Sequence, residues 1–278
     1  MTHNSVQSET ALKTVDPLWT KVYAEAELII KAEPTLASFV YANILQHKSL
    51  EDALCHRVAR RLENSDVDIS ILIGIFTEIL DEFPKLSEIV RSDLAAVYDR
   101  DPACSRLVDP LLYFKGFHAL QTYRFAHQLW SKKRKDFALY LQSQCSRIFA
   151  IDIHPAAEIG KGIMMDHATG IVIGETAKVG DNTSILHNVT LGGTGKETAD
   201  RHPKIGSGVM LGAGAKILGN IHIGDCSRVA AGSVVVKDVP KCTTVAGVPA
   251  RVIGPAGCPE PFRSMDQMVQ SYAEDPEN

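Results

Sequence analysis

The six cysteines, Cys55, Cys104, Cys145, Cys226, Cys242 and Cys258, form no Cys-x-x-Cys pair and no short disulfide-type spacing. Reduced thiols in a cytoplasm are the simplest reading. Basic charge is also in short supply: 29 Lys and Arg face 33 Asp and Glu, for a formal net charge of -4 and a pI near 6.2. That balance argues against a nucleic-acid or anionic-membrane footprint, which needs a basic excess. The one basic run, Lys132-Lys133-Arg134-Lys135, reads as a solvated helix start or loop. Apolar runs such as Ile69 to Phe76 fall far short of the roughly 20 residues that span a bilayer. The N-terminus, with Glu9 and Asp16 and no apolar segment, does not resemble a secretory signal. A cytoplasmic, non-membrane enzyme of one large or two modest domains is the expectation for 278 residues.

What is present is a period of six. Aliphatic residues recur in three registers: Ile153, Ile159, Met165, Ile171; Ile173, Val179, Ile185, Leu191; and Ile205, Leu211, Ile217, Ile223, Val229, Val235. Neither a helix nor a flat sheet has that period, whereas stacked repeats of fixed short length do. Three hexads make one triangular coil, with aliphatic residues inward and small residues such as Gly160, Gly174, Gly180, Gly212, Gly224 and Ala230 at the bends. A parallel β-helix follows.

The first half has another period. Leu18, Val22, Leu28 and Ile29 fit one helix, and Leu36, Phe39, Val40 and Ile44 a second beginning after Pro34. Leu54, Val58 and Leu62 follow an approximate capping box of Ser49 and Asp52. Further helices are expected over about 71–83, 84–98, 116–130 and 134–149, with the change of period near Ala150. The division is therefore 1–150 helical, 151–258 β-helical, and 259–278 a flexible tail rich in Pro, Glu, Asp and Ser.

Ile205 comes fourteen residues after Leu191, where twelve would keep the register. The segment holds Gly192-Gly193-Thr194-Gly195-Lys196 and Asp200-Arg201-His202-Pro203-Lys204, too polar to line a wall, so it should bulge as a loop. The glycine run lacks the spacing of a Walker motif. Histidines 154, 167, 187, 202 and 222 sit at intervals of 13, 20, 15 and 20, not the His-x4-His of zinc-binding γ-carbonic anhydrases, so no metal is expected. His167 has small neighbours and an imidazole suited to take a proton from an alcohol. Asp152, fifteen residues earlier and so three short of one coil, is a candidate to face it across a layer and orient it.

Four segments then carry a resemblance. Residues 166–176 (Asp166-His167-Ala168-Thr169-Gly170 onward), 189–196, 200–206 and Gly247-Val248-Pro249-Ala250-Arg251 closely resemble serine O-acetyltransferase, over about 152–254 and more weakly back to Arg100-Asp101-Pro102-Ala103. The resemblance implies an N-terminal α-helical domain followed by a left-handed parallel β-helix. It implies acetyl transfer from acetyl-CoA to the hydroxyl of L-serine, the first step of cysteine biosynthesis, by direct attack without an acyl-enzyme. His167 would be the general base and Asp152 its orienting carboxylate. Asp101, Asp166, Arg201 and His202 would form the amino-acid pocket, anions for the ammonium and the Arg201 fork for the carboxylate. Coenzyme A would lie along the prism edge at Gly193, Thr194, Ala213 and Ala231, with Lys216 or Arg251 meeting phosphates. The sites would lie between adjacent subunits of a trimer or dimer of trimers, and L-cysteine would be a feedback inhibitor of the same pocket. Members that dock into cysteine synthase end in isoleucine; this chain ends in Asn278, which leaves that partnership in doubt. The rivals are a hexapeptide-repeat acyltransferase with another acceptor, a non-catalytic trimeric scaffold and a metal-dependent hydratase.

Overall fold

The computed structural model describes residues 16–195 and 198–267; Lys196 of the glycine-rich segment and residues 268–278 of the expected tail lie outside them. Asp16 starts α1 (Pro17–Ala32), its Oδ1 accepting the N–H groups of Leu18 and Trp19 while Pro17 fills a position that needs no donor. Val22, Ala26 and Ile29 are buried, but Leu28, expected on that face, is 60% exposed: beside Ile29, it points about 100° away. The single helix expected after Pro34 is instead a 3₁₀ turn (Pro34–Leu36), α2 (Ala37–Val40) and a π-helical turn (Tyr41–Leu45). Val40 and Ile44 are buried and Leu36 is exposed.

Ser49 Oγ caps α3 (Leu50–Leu62) by accepting the Asp52 N–H, and Leu54, Val58 and Leu62 are buried as the spacing requires. There follow α4 (Ile69–Glu82), α5 (Lys85–Arg100), α6 (Val108–Leu112), α7 (Lys115–Ser131) and α8 (Lys135–Phe149). The five-residue α6 had no periodicity to announce it. Ala150, left-handed at φ 57°, ends α8 and turns the chain into the first strand. Among the described residues no helix is long and apolar enough to cross a membrane.

From Asp152 onward the strands form three sheets of mainly parallel pairs, as expected of a left-handed β-helix. The first sheet stacks Ile153, Ile173, Leu191, Ile217 and Val235; the second Ile159, Val179, Ile205 and Ile223; the third Met165, Ile185, Leu211, Val229 and Val245. Two register details differ from the sequence reading. Ile153 pairs with Ile173, so the first coil has twenty residues; Ile171 is buried in a corner rather than on a strand, and the two extra residues lie in the turn that carries His167. Leu191 belongs to the first sheet and Ile205 to the second, so six residues and not twelve would keep the register. The loop therefore inserts eight.

The helices dock on the first coil through a buried ion pair. Asp93 of α5 and Arg124 of α7 meet at 3.0 Å with side chains 0% and 5% exposed. Arg124 also donates to the carbonyls of Ile159 and Gly160, and Asp93 accepts the Ile163 N–H and Gln121 Nε2. Burial pushes the Asp93 carboxyl up, while Arg124, the Ile163 N–H and Gln121 pull it back. Every charge is thus paired or hydrogen-bonded to coil backbone, the condition for tolerating buried ions. At the far end, α9 (Pro261–Ser264) straps the third sheet: Ser184 Oγ donates to Phe262 O at 2.8 Å, and Arg263 pairs with Asp99 at 2.8 Å.

Arg124→Met should cost about 3–5 kcal/mol in denaturant unfolding, because it strands a buried carboxylate. His118 supplies a pH test. It is fully buried, its Nε2 lies 2.7 Å from Leu111 O, and burial pushes its imidazole down to about 3. The unfolded chain binds that proton near pH 6.5 and the native chain does not, so stability falls as pH drops from about 6.5 toward 3, by up to about 1.4 kcal/mol per unit. His118→Gln should remove that share of the acid loss between pH 7 and 5.

Candidate active site

A pocket of about 590 Å³ lies where the helices meet the first coil. It is lined by Arg100, Asp101, Pro102 and Ala103 at the end of α5, by Phe114 to Phe117 at the start of α7, and by Met164 to His167. Close approach is possible because residue 116 is glycine: a Cβ there would stand 2.2 Å from Met165 O. The enlarged turn then projects the imidazole. His167 and Ala168 take left-handed φ of 53° and 61°, costly for residues with a Cβ, and the His167 side chain is 76% exposed while Ala168 is buried. His167 Nε2 lies 3.8 Å from Asp166 Oδ1, with the His187 ring 6.0 Å away. Burial pushes the Asp166 carboxyl up, His167 opposes this, and Asp101 adds to it. Asp101 Oδ1 caps its own turn through the Ala103 N–H at 2.8 Å. Two carboxylates beside one imidazole suit an ammonium group.

Arg201 and His202 are elsewhere. They lie in the inserted loop, at the corner between the first and second sheets, whereas His167 is at the corner between the third and first. Thr176, which the sequence reading passed over, holds them. Its Oγ1 accepts the N–H of Arg201 and of His202, both at 3.1 Å, and its own N–H donates to His202 Nδ1 at 3.2 Å. That bond leaves the ring proton on Nε2. Burial, with Arg201 and Lys204 nearby, pushes the His202 imidazole down, so it is a neutral Nε2–H donor. Gly174 makes room, since a Cβ would stand 2.0 Å from His202 Nε2. Arg201 Nη2 pairs with Glu175 at 2.7 Å.

Asp152 begins the first sheet, and its Oδ1 accepts from Gln142 Nε2 of α8 at 2.7 Å. Among the described residues the carboxylate nearest to His167 is that of Asp166, and no ion pair joins His167 to Asp152. The coenzyme candidates also divide. Gly193 and Thr194 are in the loop beside Arg201, while Ala213 and Ala231 lie at the corner above His187. Lys216 Nζ donates to the carbonyl and side chain of Asn188 and to Thr190 Oγ1. Arg251 is exposed on the terminal hairpin of Thr243–Gly247 and Ala250–Pro255. Among the described residues no three His, Cys, Asp or Glu side chains gather as a metal site requires.

The serine acetyltransferase N-terminal family model matches residues 18–122, and the bacterial transferase hexapeptide model, of six repeats, matches 202–237. The serine acetyltransferase of Salmonella typhimurium is 50% identical over 250 residues, 90% of this chain and 92% of that protein. The chain belongs to the serine acetyltransferase family. A Brucella abortus serine acetyltransferase solved with coenzyme A is 59% identical, with a TM-score of 0.87 over 89% of this chain and 99% of that one. The Neisseria gonorrhoeae enzyme solved with serine is 50% identical, with a TM-score of 0.83 over 87% and 99%. A serine acetyltransferase solved with cysteine is 48% identical, with a TM-score of 0.89 over 91% and 98%.

The role of Thr176 is testable without substrate. Thr176→Val removes the acceptor for two loop N–H groups, and their hydrogen exchange should speed up by about 10-fold or more, equivalent to the ~1.4 kcal/mol of a lost hydrogen bond. Thr176→Ser should restore protection.

Proposed function

We propose that this chain transfers the acetyl group of acetyl-CoA to the hydroxyl of L-serine, with His167 as general base. The observation that carries the reading is the division of the amino-acid pocket into two half-sites on different corners of one prism. Asp101 and Asp166 offer anions for an ammonium beside His167; Arg201 and the His202 Nε2–H offer donors for a carboxylate. A zwitterion needs both, and one chain presents them on separate edges. The pocket is therefore completed by the Arg201 edge of a neighbouring copy in a trimer.

His167 then takes the serine hydroxyl proton as the oxygen attacks the thioester carbonyl, the C–S bond breaks, and the imidazolium returns the proton to the coenzyme A thiolate. Asp152 is assigned as the carboxylate that orients the imidazole once it is released from Gln142. Acetyl-CoA is a co-substrate, laid along the edge between Gly193 and Thr194 of one copy and Ala213 and Ala231 of the next. L-Cysteine, with the same ammonium and carboxylate as serine, would occupy the pocket as an inhibitor, a reading supported by the cysteine complex of a relative. We assign 1–150 to oligomerisation and the pocket wall, 151–258 to catalysis and 259–278 to a tail, in a cytoplasmic trimer or dimer of trimers.

His167→Ala should lower serine-dependent release of coenzyme A thiol by roughly 10² to 10⁴-fold with the oligomer intact. Thiol release with threonine, homoserine or galactose exceeding that with serine would replace the acceptor. Subunit complementation tests the shared site. Co-assembled His167→Ala and Arg201→Ala chains should regain about one quarter of wild-type activity, since one interface in four pairs two intact halves in a random trimer. Sites confined to one chain would regain none.

A further inference from the structure

Three cysteines are buried, Cys55, Cys104 and Cys145, and three reach the surface, Cys226, Cys242 and Cys258. Two of the latter are stacked. The Cys226 N–H donates to Ser207 O at 2.9 Å and the Cys242 N–H to Asp225 O at 2.8 Å, so they hold the same corner, between the second and third sheets, in successive coils. Both are left-handed, at φ 55° and 52°. Lower in that column the conformation falls to Gly162, Asn182 and Gly208, residue types to which it costs least. Backbones one coil apart stand about 4.8 Å from each other. That lies inside the roughly 4.4–6.8 Å between Cα atoms that a disulfide spans. The two thiols are within hydrogen-bond reach of each other, and burial, followed by the charge of Cys242, pushes Cys226 up. The corner is away from both half-sites, and neither cysteine lines the His167 pocket.

We propose that Cys226 and Cys242 are a surface dithiol that closes to an inter-coil disulfide by exchange with a low-molecular-weight disulfide. Cys242 is the exposed member, beside Lys241, whose ammonium pairs with Asp225 at 2.7 Å. Its thiolate attacks one sulfur of the external disulfide and expels the other as a thiol, leaving a mixed disulfide. Cys226, less exposed and a neutral thiol at rest, gives up its proton and attacks the Cys242 sulfur, releasing the second thiol. Two protein sulfurs are oxidised, one external disulfide is reduced to two thiols, and the two protein protons end on them. The bond ties the terminal coil to the one below it, at the point where Cys242 O accepts the Ala256 N–H and the parallel ladder gives way to the antiparallel hairpin.

The test uses the full chain with oxidised glutathione, acid quenching, alkylation and non-reducing peptide mapping. Wild type should lose two of its three surface thiols to a Cys226–Cys242 linked peptide, reversed by dithiothreitol. Cys226→Ser should stop at a glutathione adduct on Cys242, and Cys242→Ser should give neither the link nor an adduct on Cys226. Both variants should keep wild-type thiol release from acetyl-CoA, which shows that they fold. A stable glutathione adduct on wild-type Cys242, a link that involves Cys258, or no reaction would each overturn the proposal.

Discussion

The buried pair of Asp93 and Arg124 fixes where the helical layer sits on the β-helix, and the half-site beside His167 depends on it. Its partners are backbone groups of Ile159, Gly160 and Ile163, so the contact reads coil geometry and not side-chain identity. Asp93 lies eight residues before Asp101 on α5, and Arg124 eight residues after Gly116 on α7. Two helix turns convert the anchor into position: α5 delivers Asp101 to the pocket rim and α7 brings its first turn against Met165. A side chain at residue 116, with its Cβ 2.2 Å from Met165 O, would push that turn away. The burial that makes the pair costly also makes it specific, because a slipped register would leave both charges unpaired in an apolar layer.

The candidate site residues His167, Arg201 and His202 sit where the repeat is broken. The regular corners of the column above His167 use one left-handed residue each, Asn188, Gly214 and Gly232. The first turn of that column has two extra residues and three left-handed ones, His167, Ala168 and Gly170, and so lifts an imidazole clear of the wall. The second break, eight residues long, lifts Arg201 and His202 off the neighbouring corner and ties them down through Thr176. A strict hexad leaves every outward side chain flush with a flat face, and neither group could then reach a ligand of any depth.

The sequence carried the architecture because a six-residue period has one structural solution, and Ile153 to Val235 keep it with few exceptions. It misplaced the phase at both breaks for one reason: a period says how far apart wall residues are, not which of three walls a residue belongs to once residues are inserted. Leu28 shows the matching weakness in helices, where an apolar residue next to a core position counts toward the pattern while facing water. His167, Asp166, Arg201 and His202 became candidates through the resemblance of their motifs to a family. Thr176, Gly174 and Gly116 were not, because a hydroxyl that accepts two amides and a glycine that admits a neighbour have no signature apart from their partners. Gly174 and Thr176 lie inside the same matched segment as His167, which suggests a rule for reading such segments: small and hydroxyl residues near a candidate catalytic group are to be tested first as its supports.

The separation of the half-sites also bears on control. On the proposed reading, a pocket whose base comes from one corner and whose carboxylate donors come from another would exist only when copies are registered to within hydrogen-bond tolerance, about 2.7–3.2 Å between heavy atoms. In such an assembly, small shifts of one prism against the next would change acceptor binding more than either chain's stability. The neutral state of His202 adds to this. Held as an Nε2–H donor by the Thr176 amide, it offers a hydrogen bond without a second positive charge beside Arg201, so on the proposed reading a carboxylate would meet one cation and one dipole. Protonation would end the Thr176 bond and place two cations together. Acid would thus weaken the loop, and with it the proposed acceptor half-site, through a single ring nitrogen.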